Sequence, residues 1–230
     1  MRRDTGLGRR ESGFAGIKGL AYSVKEIFYS LQGEGAHAGR PAVFCRFTGC
    51  NLWSGREKDR SSAICQFCDT DFVGTDGVGG GQFKTAEALA KEVQSYWPKN
   101  ILNEHPYVIC TGGEPLLQLD DDLIAAFHAQ EIEIAIETNG TIPVPDRVDW
   151  ICVSPKAGSD LVVKEGNEIK LVYPQEGNHP KEFQDSNFDH FFLQPKDEMG
   201  CSNVNKTVQY CLDNPIWKLS LQTHKLLGLR

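Results

Sequence analysis

The sequence lacks a long apolar run: no stretch of about 18 consecutive apolar residues occurs in its 230 residues. Since a transmembrane helix needs such a run, no membrane is expected as a partner. An apolar secretory signal is also missing, and the chain is longer than a typical disulfide-stapled domain. The eight cysteines are therefore expected to be thiols in a reducing cytoplasm, where clustered cysteines are more often metal ligands or reactive groups.

Positive charge is scarce. Lys and Arg number 24 against 31 Asp and Glu, for a net charge of −7. Residues 1 to 20 alone carry +3 of that total, so the rest of the chain is near −10. A surface of this charge repels phosphate groups, which argues against nucleic acid as a partner and favours a small-molecule substrate.

Residues 1 to 20 carry five basic and two acidic side chains and have almost no apolar periodicity. They are predicted to be a disordered leader, either an extension or a product of start-site choice, and an organelle-targeting leader is the alternative. Residues 21 to 230 are predicted to form a single domain, because this length suits one core.

Short apolar runs with few helices between them make up most of this domain. Helices are predicted over 84 to 97, over "DDDLIAAFHAQ" and over "SNVNKTVQYCLDN", and the Gly-rich stretch 74 to 83 is expected to be a mobile surface loop. Strands are predicted at "YSVKEIFYSLQ", "AVFCRF", "YVICT", "IEIAIE", "WICVS", "EIKLVY", "HFFLQ" and "WKLSLQ". The fold class is therefore α/β, a partial TIM-type barrel of about six parallel strands, because a full barrel needs about 250 residues and a helix after every strand.

Polar or Gly-rich clusters follow six of these strands: "CRFTGC", "TGGEP", "ETNG", "SPKA", "QPKD" and "QTHK". In parallel α/β sheets, binding and catalytic groups gather at the carboxyl ends of strands, where the loops converge. We therefore expect these clusters to share one active site.

Three cysteines lie in "CNLWSGREKDRSSAICQFC", residues 50 to 68. Cys65 and Cys68 alone fit a zinc half-site, a redox dithiol or no function. With Cys50 they make three thiolates, one short of a closed tetrahedral site, which is typical of a catalytic metal centre with an open position. Sulfur ligands favour zinc or an iron–sulfur cluster, and the cysteines alone do not decide between them.

A cysteine triad on the loop after an early strand of a partial barrel, followed by a "GGEP" loop, resembles the radical S-adenosylmethionine superfamily. Within it, the segments "EIFYSLQGEGAHAGRPAVFCRFTGCNLW", "VICTGGEPLLQLD", "IAIETNGT", "FFLQPKD" and "SLQTHKLLGLR", together with the Cys-x14-Cys-x2-Cys spacing, resemble the 7-carboxy-7-deazaguanine synthase family. The resemblance covers residues 22 to 230. The fourteen residues between Cys50 and Cys65 are then read as an insertion with a short helix.

The resemblance implies an activity and a set of partners. These enzymes cleave S-adenosylmethionine reductively at a [4Fe-4S] cluster and use the resulting radical to contract the ring of 6-carboxy-5,6,7,8-tetrahydropterin, with release of ammonia, on the route to 7-deazapurines such as queuosine. Mg²⁺, a reductant such as flavodoxin or ferredoxin, and a homodimer are also implied.

The resemblance also implies site residues. Cys50, Cys65 and Cys68 would ligate the cluster and Thr70 would bind Mg²⁺. The pterin would contact Leu31, Gln32, Gly33, Glu34, Arg46, Thr111, His224 and Arg230. S-Adenosylmethionine would contact Phe67, Asp69, Gly112, Gly113, Glu114, Glu137, Ser154, Pro155, Lys156, Gln194, Pro195, Lys196 and Asp197.

Two other functions fit part of the pattern. A glycyl-radical activase would also be a radical enzyme, but it is expected to have a compact cysteine triad and no pterin-reading loop. A zinc-binding module without catalysis would need only the thiols.

Overall fold

The computed structural model describes residues 21–100, 105–198 and 201–230, so the predicted leader lies outside the described residues. Within them, no helix is both long and apolar enough to span a membrane. The α-helices are α1 (Ala86–Ser95), α2 (Asp121–His128), α3 (Val204–Asp213) and α4 (Thr223–Leu227). The strands are β1 (Tyr22–Leu31), β2 (Pro41–Phe47), β3 (Gly81–Phe83), β4 (Tyr107–Gly112), β5 (Glu133–Thr138), β6 (Trp150–Val153), β7 (Glu165–Tyr173), β8 (Asn187–Pro195), β9 (Asp197–Glu198), β10 (Cys201–Ser202) and β11 (Lys218–Leu219).

Nine strands form one sheet in the order β11-β8-β7-β6-β5-β4-β2-β1-β3, and β9 pairs with β10 in a separate ribbon. All pairings from β2 to β11 in this sheet are parallel, whereas β1 is antiparallel to β2 and to β3. The sheet does not close, and β5, β6, β7 and β8 follow one another without an α-helix between them. This confirms the predicted partial barrel with about six parallel strands and few helices.

The three predicted helices form where expected, and side chains cap the starts of two of them. Thr85 precedes α1 and its side chain accepts a hydrogen bond from the Ala88 amide, while Asp120 caps α2 by accepting from the Leu123 amide. Both helices pack apolar residues such as Leu89 onto the buried side of β1, β2, β4 and β5. A second core, between β6, β7, β8 and α3, completes the domain.

Two expectations about secondary structure need correction. The Gly-rich stretch 74 to 83 was expected to be a surface loop throughout, but its last three residues form the edge strand β3 because they pair with the first three residues of β1. The strand expected over "WKLSLQ" is only two residues long, and the following "QTHK" enters helix α4.

The loop between β1 and β2, residues 32 to 40, lies at the amino ends of the parallel strands because β1 runs antiparallel to β2. Arg40 anchors it there, donating from Nη1 to Glu133 Oε1 at 2.9 Å while its guanidinium carbon lies 3.6 Å from the centre of the Tyr107 ring. Deeper inside the barrel, the Ala36 amide donates to Glu168 Oε2 at 2.7 Å. The loop therefore fills the barrel from the side opposite to the strand-end clusters.

Candidate active site

One cavity of about 440 Å³ opens at the carboxyl ends of the parallel strands. All six strand-end clusters contribute to its wall, as the sequence predicts. The loop between β1 and β2 forms its inner side with residues 32 to 34. The cavity therefore receives side chains from both ends of the barrel.

Most of the predicted site residues line this cavity. Glu114, Pro155 and Lys196 are absent from the wall, although Lys196 lies near it, with its ammonium 5.9 Å from the centre of the Phe67 ring. The predicted residues that line it are Leu31, Gln32, Gly33, Glu34, Arg46, Cys50, Cys65, Phe67, Cys68, Asp69, Thr70, Thr111, Gly112, Gly113, Glu137, Ser154, Lys156, Gln194, Pro195, Asp197, His224 and Arg230.

The insertion between Cys50 and Cys65 forms a loop whose two ends lie side by side. The carbonyl oxygen of Leu52 accepts from the Ile64 amide at 3.1 Å and from the Cys65 amide at 3.3 Å. A 3-10 helix, Glu57–Ser62, lies between them, as the expected helical excursion requires. Its Arg60 donates from Nη1 to the carbonyl oxygens of Gln66 and Cys68, both at 3.0 Å. The long spacing thus forms a closed loop that holds Cys65 and Cys68 beside Cys50.

The three thiols share one cavity with the half-buried Lys156. Burial raises the pKa of Cys50 and of Cys65. Burial lowers the pKa of Lys156, whose ammonium donates to Ser154 Oγ at 2.7 Å, while Cys65 and Cys68 act in the opposite direction. A positive charge at this position favours the thiolate form that iron requires.

Among the described residues, no group of three or more His, Cys, Asp or Glu side chains is arranged to hold a single metal ion. A four-iron cluster differs from such a site because each thiolate binds a different iron. The three thiols of the cavity wall have the ligand type that either zinc or an iron–sulfur cluster takes.

Replacing Arg60 with Met tests the role of the insertion. The change removes two charge-assisted hydrogen bonds that together contribute roughly 2 kcal/mol to ordering of the cysteine loop. We expect the variant to fold normally but to lose iron several times faster than the unmodified protein, measured as iron per chain after anaerobic incubation with a chelator. Lys58→Met, at an exposed position in the same 3-10 helix, is the control. Equal iron loss in both variants would contradict this role.

Glu114 lies behind the cavity wall and is fully buried. Its carboxylate accepts from the Leu116 amide at 3.0 Å, from Thr138 Oγ1 at 2.8 Å and from the Asn139 amide at 2.8 Å. Burial nevertheless raises its pKa. The carboxylate thus joins the loop after β4 to the loop after β5, and its expected contact with the cofactor stays a prediction.

Gly113 packs directly on the start of the cysteine loop. A Cβ atom at this position would lie 2.1 Å from the Gly49 carbonyl oxygen, which is backbone and cannot move aside easily. The glycine is therefore needed for close approach of two loops, whatever contact it makes with a ligand.

Four residues at the inner side of the cavity form a closed ring of hydrogen bonds. Lys170 on β7 donates to Glu34 Oε2 at 2.7 Å and to Glu137 Oε2 at 2.9 Å. Gln32 Nε2 donates to Glu137 Oε1 at 3.0 Å, and the Glu34 amide donates to Gln32 Oε1 at 3.3 Å. The ring joins residues expected to bind the pterin to a residue expected to bind the cofactor.

The protonation states in this ring follow from burial and charge. Burial would raise the pKa of Glu34, but Lys170 and a hydrogen bond from Gln222 outweigh it, and the pKa is lowered. For Glu137, burial and the nearby Glu34 outweigh Lys170, so its pKa is raised. Burial alone would lower the pKa of Lys170, but the surrounding acidic groups raise it well above the ordinary value. Lys170 therefore stays charged.

The C-terminal segment covers one side of the cavity. The Thr223 amide donates to the Gly33 carbonyl oxygen at 3.0 Å, and Ser30 Oγ donates to the Arg230 carbonyl oxygen at 3.1 Å. Lys225 bridges the cysteine loop and the end of β8, because its ammonium lies 2.6 Å from Asp69 Oδ2 and 2.9 Å from Asp197 Oδ2. This segment links the two sides of the cavity mouth.

Arg46 is paired across the antiparallel strands with Glu26, its Nε donating to Glu26 Oε1 at 2.9 Å. Beside this pair, the rings of Phe28 and Phe44 stack with centroids 5.1 Å apart and line the same cavity. Side chains alternate between the two faces of β1 and β2, which places these four on the same face. Only the register between the two strands shows that Glu26 lies opposite Arg46 and Phe28 opposite Phe44.

Several wall residues were not named individually from the sequence. Thr138, Asn139, Gln222 and Lys225 lie in strand-end clusters that were expected at the site, whereas Lys170 lies in a segment that reads as an ordinary strand. The residues not named are Glu26, Phe28, Phe44, Leu52, Trp53, Asp71, Phe72, Thr138, Asn139, Lys170, Val172, Gln222 and Lys225.

Comparison with known proteins finds close relatives. No family model matches the chain. The chain is 58% identical over 214 residues to 7-carboxy-7-deazaguanine synthase of Bordetella pertussis, covering 91% of this chain and 100% of the relative. The corresponding protein of Bradyrhizobium diazoefficiens is 58% identical over 212 residues, covering 92% and 100%. A crystal structure of QueE from Escherichia coli matches with a TM-score of 0.66 at 24% identity over 87% of this chain and 93% of the other, a likeness of fold.

Proposed function

Because the chain belongs to the 7-carboxy-7-deazaguanine synthase family of radical S-adenosylmethionine enzymes, we propose that the strand-end cavity is its active site. The enzyme is a lyase that contracts the ring of 6-carboxy-5,6,7,8-tetrahydropterin to give 7-carboxy-7-deazaguanine with release of ammonia, in queuosine biosynthesis. The observation that supports this site best is the meeting of the three cysteines and the Glu34–Lys170–Glu137 group in one cavity.

Cys50, Cys65 and Cys68 hold the [4Fe-4S] cluster in this proposal. The fit rests on three thiols in one cavity and on the Lys156 ammonium near Cys65 and Cys68, which favours their thiolate forms. When bound, the cluster and S-adenosylmethionine supply the radical chemistry, while the protein orients the reactants and excludes water.

The cofactor side also includes an unsatisfied acceptor. Gln194 is buried in the cavity wall, and its Oε1 has no hydrogen-bond partner among the described residues. A buried acceptor of this kind is normally paired, so a donor on the bound cofactor is the proposed partner. Ser154 and Asp197, also in the wall, are proposed cofactor contacts on the same side.

Glu34 reads the donor-rich amidine edge of the pterin. Its lowered pKa keeps the carboxylate ionised, and three carboxylates, those of Glu34, Glu137 and Glu168, surround the single Lys170 ammonium. This surplus of negative charge complements N–H donors on the substrate.

Arg46 binds the carboxylate of the pterin. Glu26 holds Arg46 through Nε, and within the described part of the chain the two Nη atoms make no hydrogen bond. These atoms can form a two-point contact with a carboxylate. The stacked rings of Phe28 and Phe44 provide an apolar surface beside it.

The remaining partners are part of the same proposal. Thr70 contributes one oxygen to Mg²⁺, which commonly takes few protein ligands. A flavodoxin or ferredoxin supplies the electron. The enzyme works in the cytoplasm, a location supported by seven free cysteines among the described side chains.

A homodimer is supported by the exposed apolar side chains of Leu212, Leu226 and Leu227.

Anaerobic reconstitution with iron and sulfide, followed by mass spectrometry of the reaction products, tests the function. We expect an iron–sulfur absorbance, 5′-deoxyadenosine from S-adenosylmethionine, and 7-carboxy-7-deazaguanine from the carboxytetrahydropterin. Cofactor cleavage with unchanged pterin would instead support a glycyl-radical activase. Binding of zinc without any iron cluster would support a non-catalytic module.

A further inference from the structure

Lys170 is a buried cation in the cavity wall to which neither the sequence nor the resemblance assigns a role. Its side chain is 5% exposed, and its ammonium contacts two carboxylates that come from different parts of the fold. Glu34 enters from the loop at the amino ends of the strands, whereas Glu137 lies at the carboxyl end of β5. Lys170 thus stands where the two sides of the cavity meet.

We propose that Lys170 is a positioning residue that couples pterin binding to cofactor binding, an inference that rests on the proposed function. It acts through Glu34, which faces the pterin, and Glu137, which faces the cofactor. Neither ligand needs to touch Lys170 for this coupling.

The hydrogen-bond ring leaves little freedom to the two carboxylates. Both oxygens of Glu34 are occupied, one by Lys170 and the other by Gln222 Nε2 at 2.9 Å. Both oxygens of Glu137 are occupied as well, by Lys170 and by Gln32 Nε2 at 3.0 Å. Each oxygen can accept a second hydrogen bond, so a ligand donor that binds either carboxylate competes with Lys170 for the charge of that carboxylate and weakens its hold on the lysine.

The backbone segments that carry Glu34 and Lys170 are held against each other. Glu168, two residues before Lys170 on β7, accepts from the Ala36 amide at 2.7 Å and from Cys152 Sγ at 3.2 Å. A Cβ atom on Gly35 would lie 2.0 Å from Glu168 Oε1, so the loop that carries Glu34 fits closely against β7. Because the loop and β7 are held together, the backbone does not shift when a ligand changes the hydrogen bonding of Glu34 or Glu137. The change instead alters the contact of Lys170 with the other carboxylate.

Coupling of this kind is reciprocal. If S-adenosylmethionine strengthens pterin binding by some factor, the pterin strengthens S-adenosylmethionine binding by the same factor. The ratio of the pterin dissociation constants without and with S-adenosylmethionine therefore measures the coupling independently of turnover, and its change in a Lys170 variant measures what Lys170 contributes.

Calorimetric titration of the cluster-loaded protein with the carboxytetrahydropterin, with and without S-adenosylmethionine, tests the proposal. In the unmodified protein we expect the ratio to be about tenfold, within the usual range of coupling between sites. In Lys170→Met we expect it to fall close to one, because Glu34 and Glu137 then no longer share a cation. Lys164→Met, an exposed lysine just before β7, should behave as the unmodified protein.

Three outcomes separate the possibilities. A ratio in Lys170→Met equal to that of the unmodified protein, or a ratio of one in the unmodified protein itself, overturns the coupling role. If the Met variant does not fold, Lys170→Gln, which keeps a hydrogen-bond donor, is judged by the same ratio. If the unmodified protein neither binds nor converts the pterin, the proposed function is contradicted. If the unmodified protein converts the pterin but the Lys170 variants keep its ratio of dissociation constants, only this inference is contradicted.

Discussion

Replacing Cys50 with Ala is expected to abolish cleavage of S-adenosylmethionine, with a loss well above the 10- to 100-fold that is typical when only an outer-shell partner of a metal site is removed. The reason is that, among the side chains that the structure describes, three thiols line the cavity and none of the other cysteines lies there to take the place of Cys50. The measurement is 5′-deoxyadenosine formed per chain, together with iron content and absorbance after anaerobic reconstitution.

Cys211→Ala is the matched control. Cys211 is a free, half-buried thiol on α3 that packs against the second core and does not line the cavity. We expect this variant to retain cluster and activity. Normal activity in the Cys50 variant would remove this residue from the ligand set and leave the long loop without its proposed purpose.

Replacing Glu34 with Gln is expected to raise the KM for the pterin about 100-fold while cofactor cleavage without substrate persists. The change removes the charge from the carboxylate that is proposed to accept N–H donors of the pterin, and truncating one partner of a buried charge-assisted contact in a binding site costs about 2–5 kcal/mol, a range that includes roughly 100-fold in affinity. An amide also cannot accept two N–H donors through two charged oxygens. Steady-state kinetics with each substrate varied in turn measures the effect.

The pH dependence gives this prediction a second readout. Because the folded protein lowers the pKa of Glu34, its ion pair stabilises the fold above the ordinary pKa of a glutamate, and this contribution disappears as the pH falls through the lowered pKa. Glu34→Gln should therefore lose less stability on acidification than the unmodified protein. Glu176→Gln, at an exposed position, is the control in both measurements. Equal pterin KM values in the two variants would show that Glu34 does not read the substrate.

The strand-end clusters were predictable because a parallel sheet brings the carboxyl ends of its strands together wherever the strands lie in the sequence. Continuous apolar runs such as "YVICT" and "IEIAIE" therefore located most of the cavity wall. The starts of α1 and α2 were also predictable from near neighbours in the chain, because Thr85 suits an N-cap position and the three aspartates of "DDDLIAAFHAQ" suit the positive end of a helix.

Features that depend on pairing between distant segments were not predictable. Lys170 lies in "EIKLVY", where a lysine between apolar residues could face solvent or the barrel interior, and only the complete fold decides which. The bridge from Lys225 to Asp69 and Asp197 joins residues up to 156 positions apart, and no local pattern reports it. The three residues of β3 were missed because glycine is poor in strands and only the edge of β1 induces pairing there.

The contacts between the loop after β1 and the C-terminal segment have a consequence for synthesis of the protein. The Gly35 amide and Ser220, Gly33 and Thr223, and Ser30 and Arg230 are pairs separated by 185, 190 and 200 residues. At ordinary translation rates, the first partner of each pair leaves the ribosome roughly 10 to 40 s before the second. During that interval the cysteine loop has already emerged, but the covering side of the cavity has not. A nascent chain can therefore present the three cysteines proposed to bind the cluster well before it can enclose the proposed pterin site.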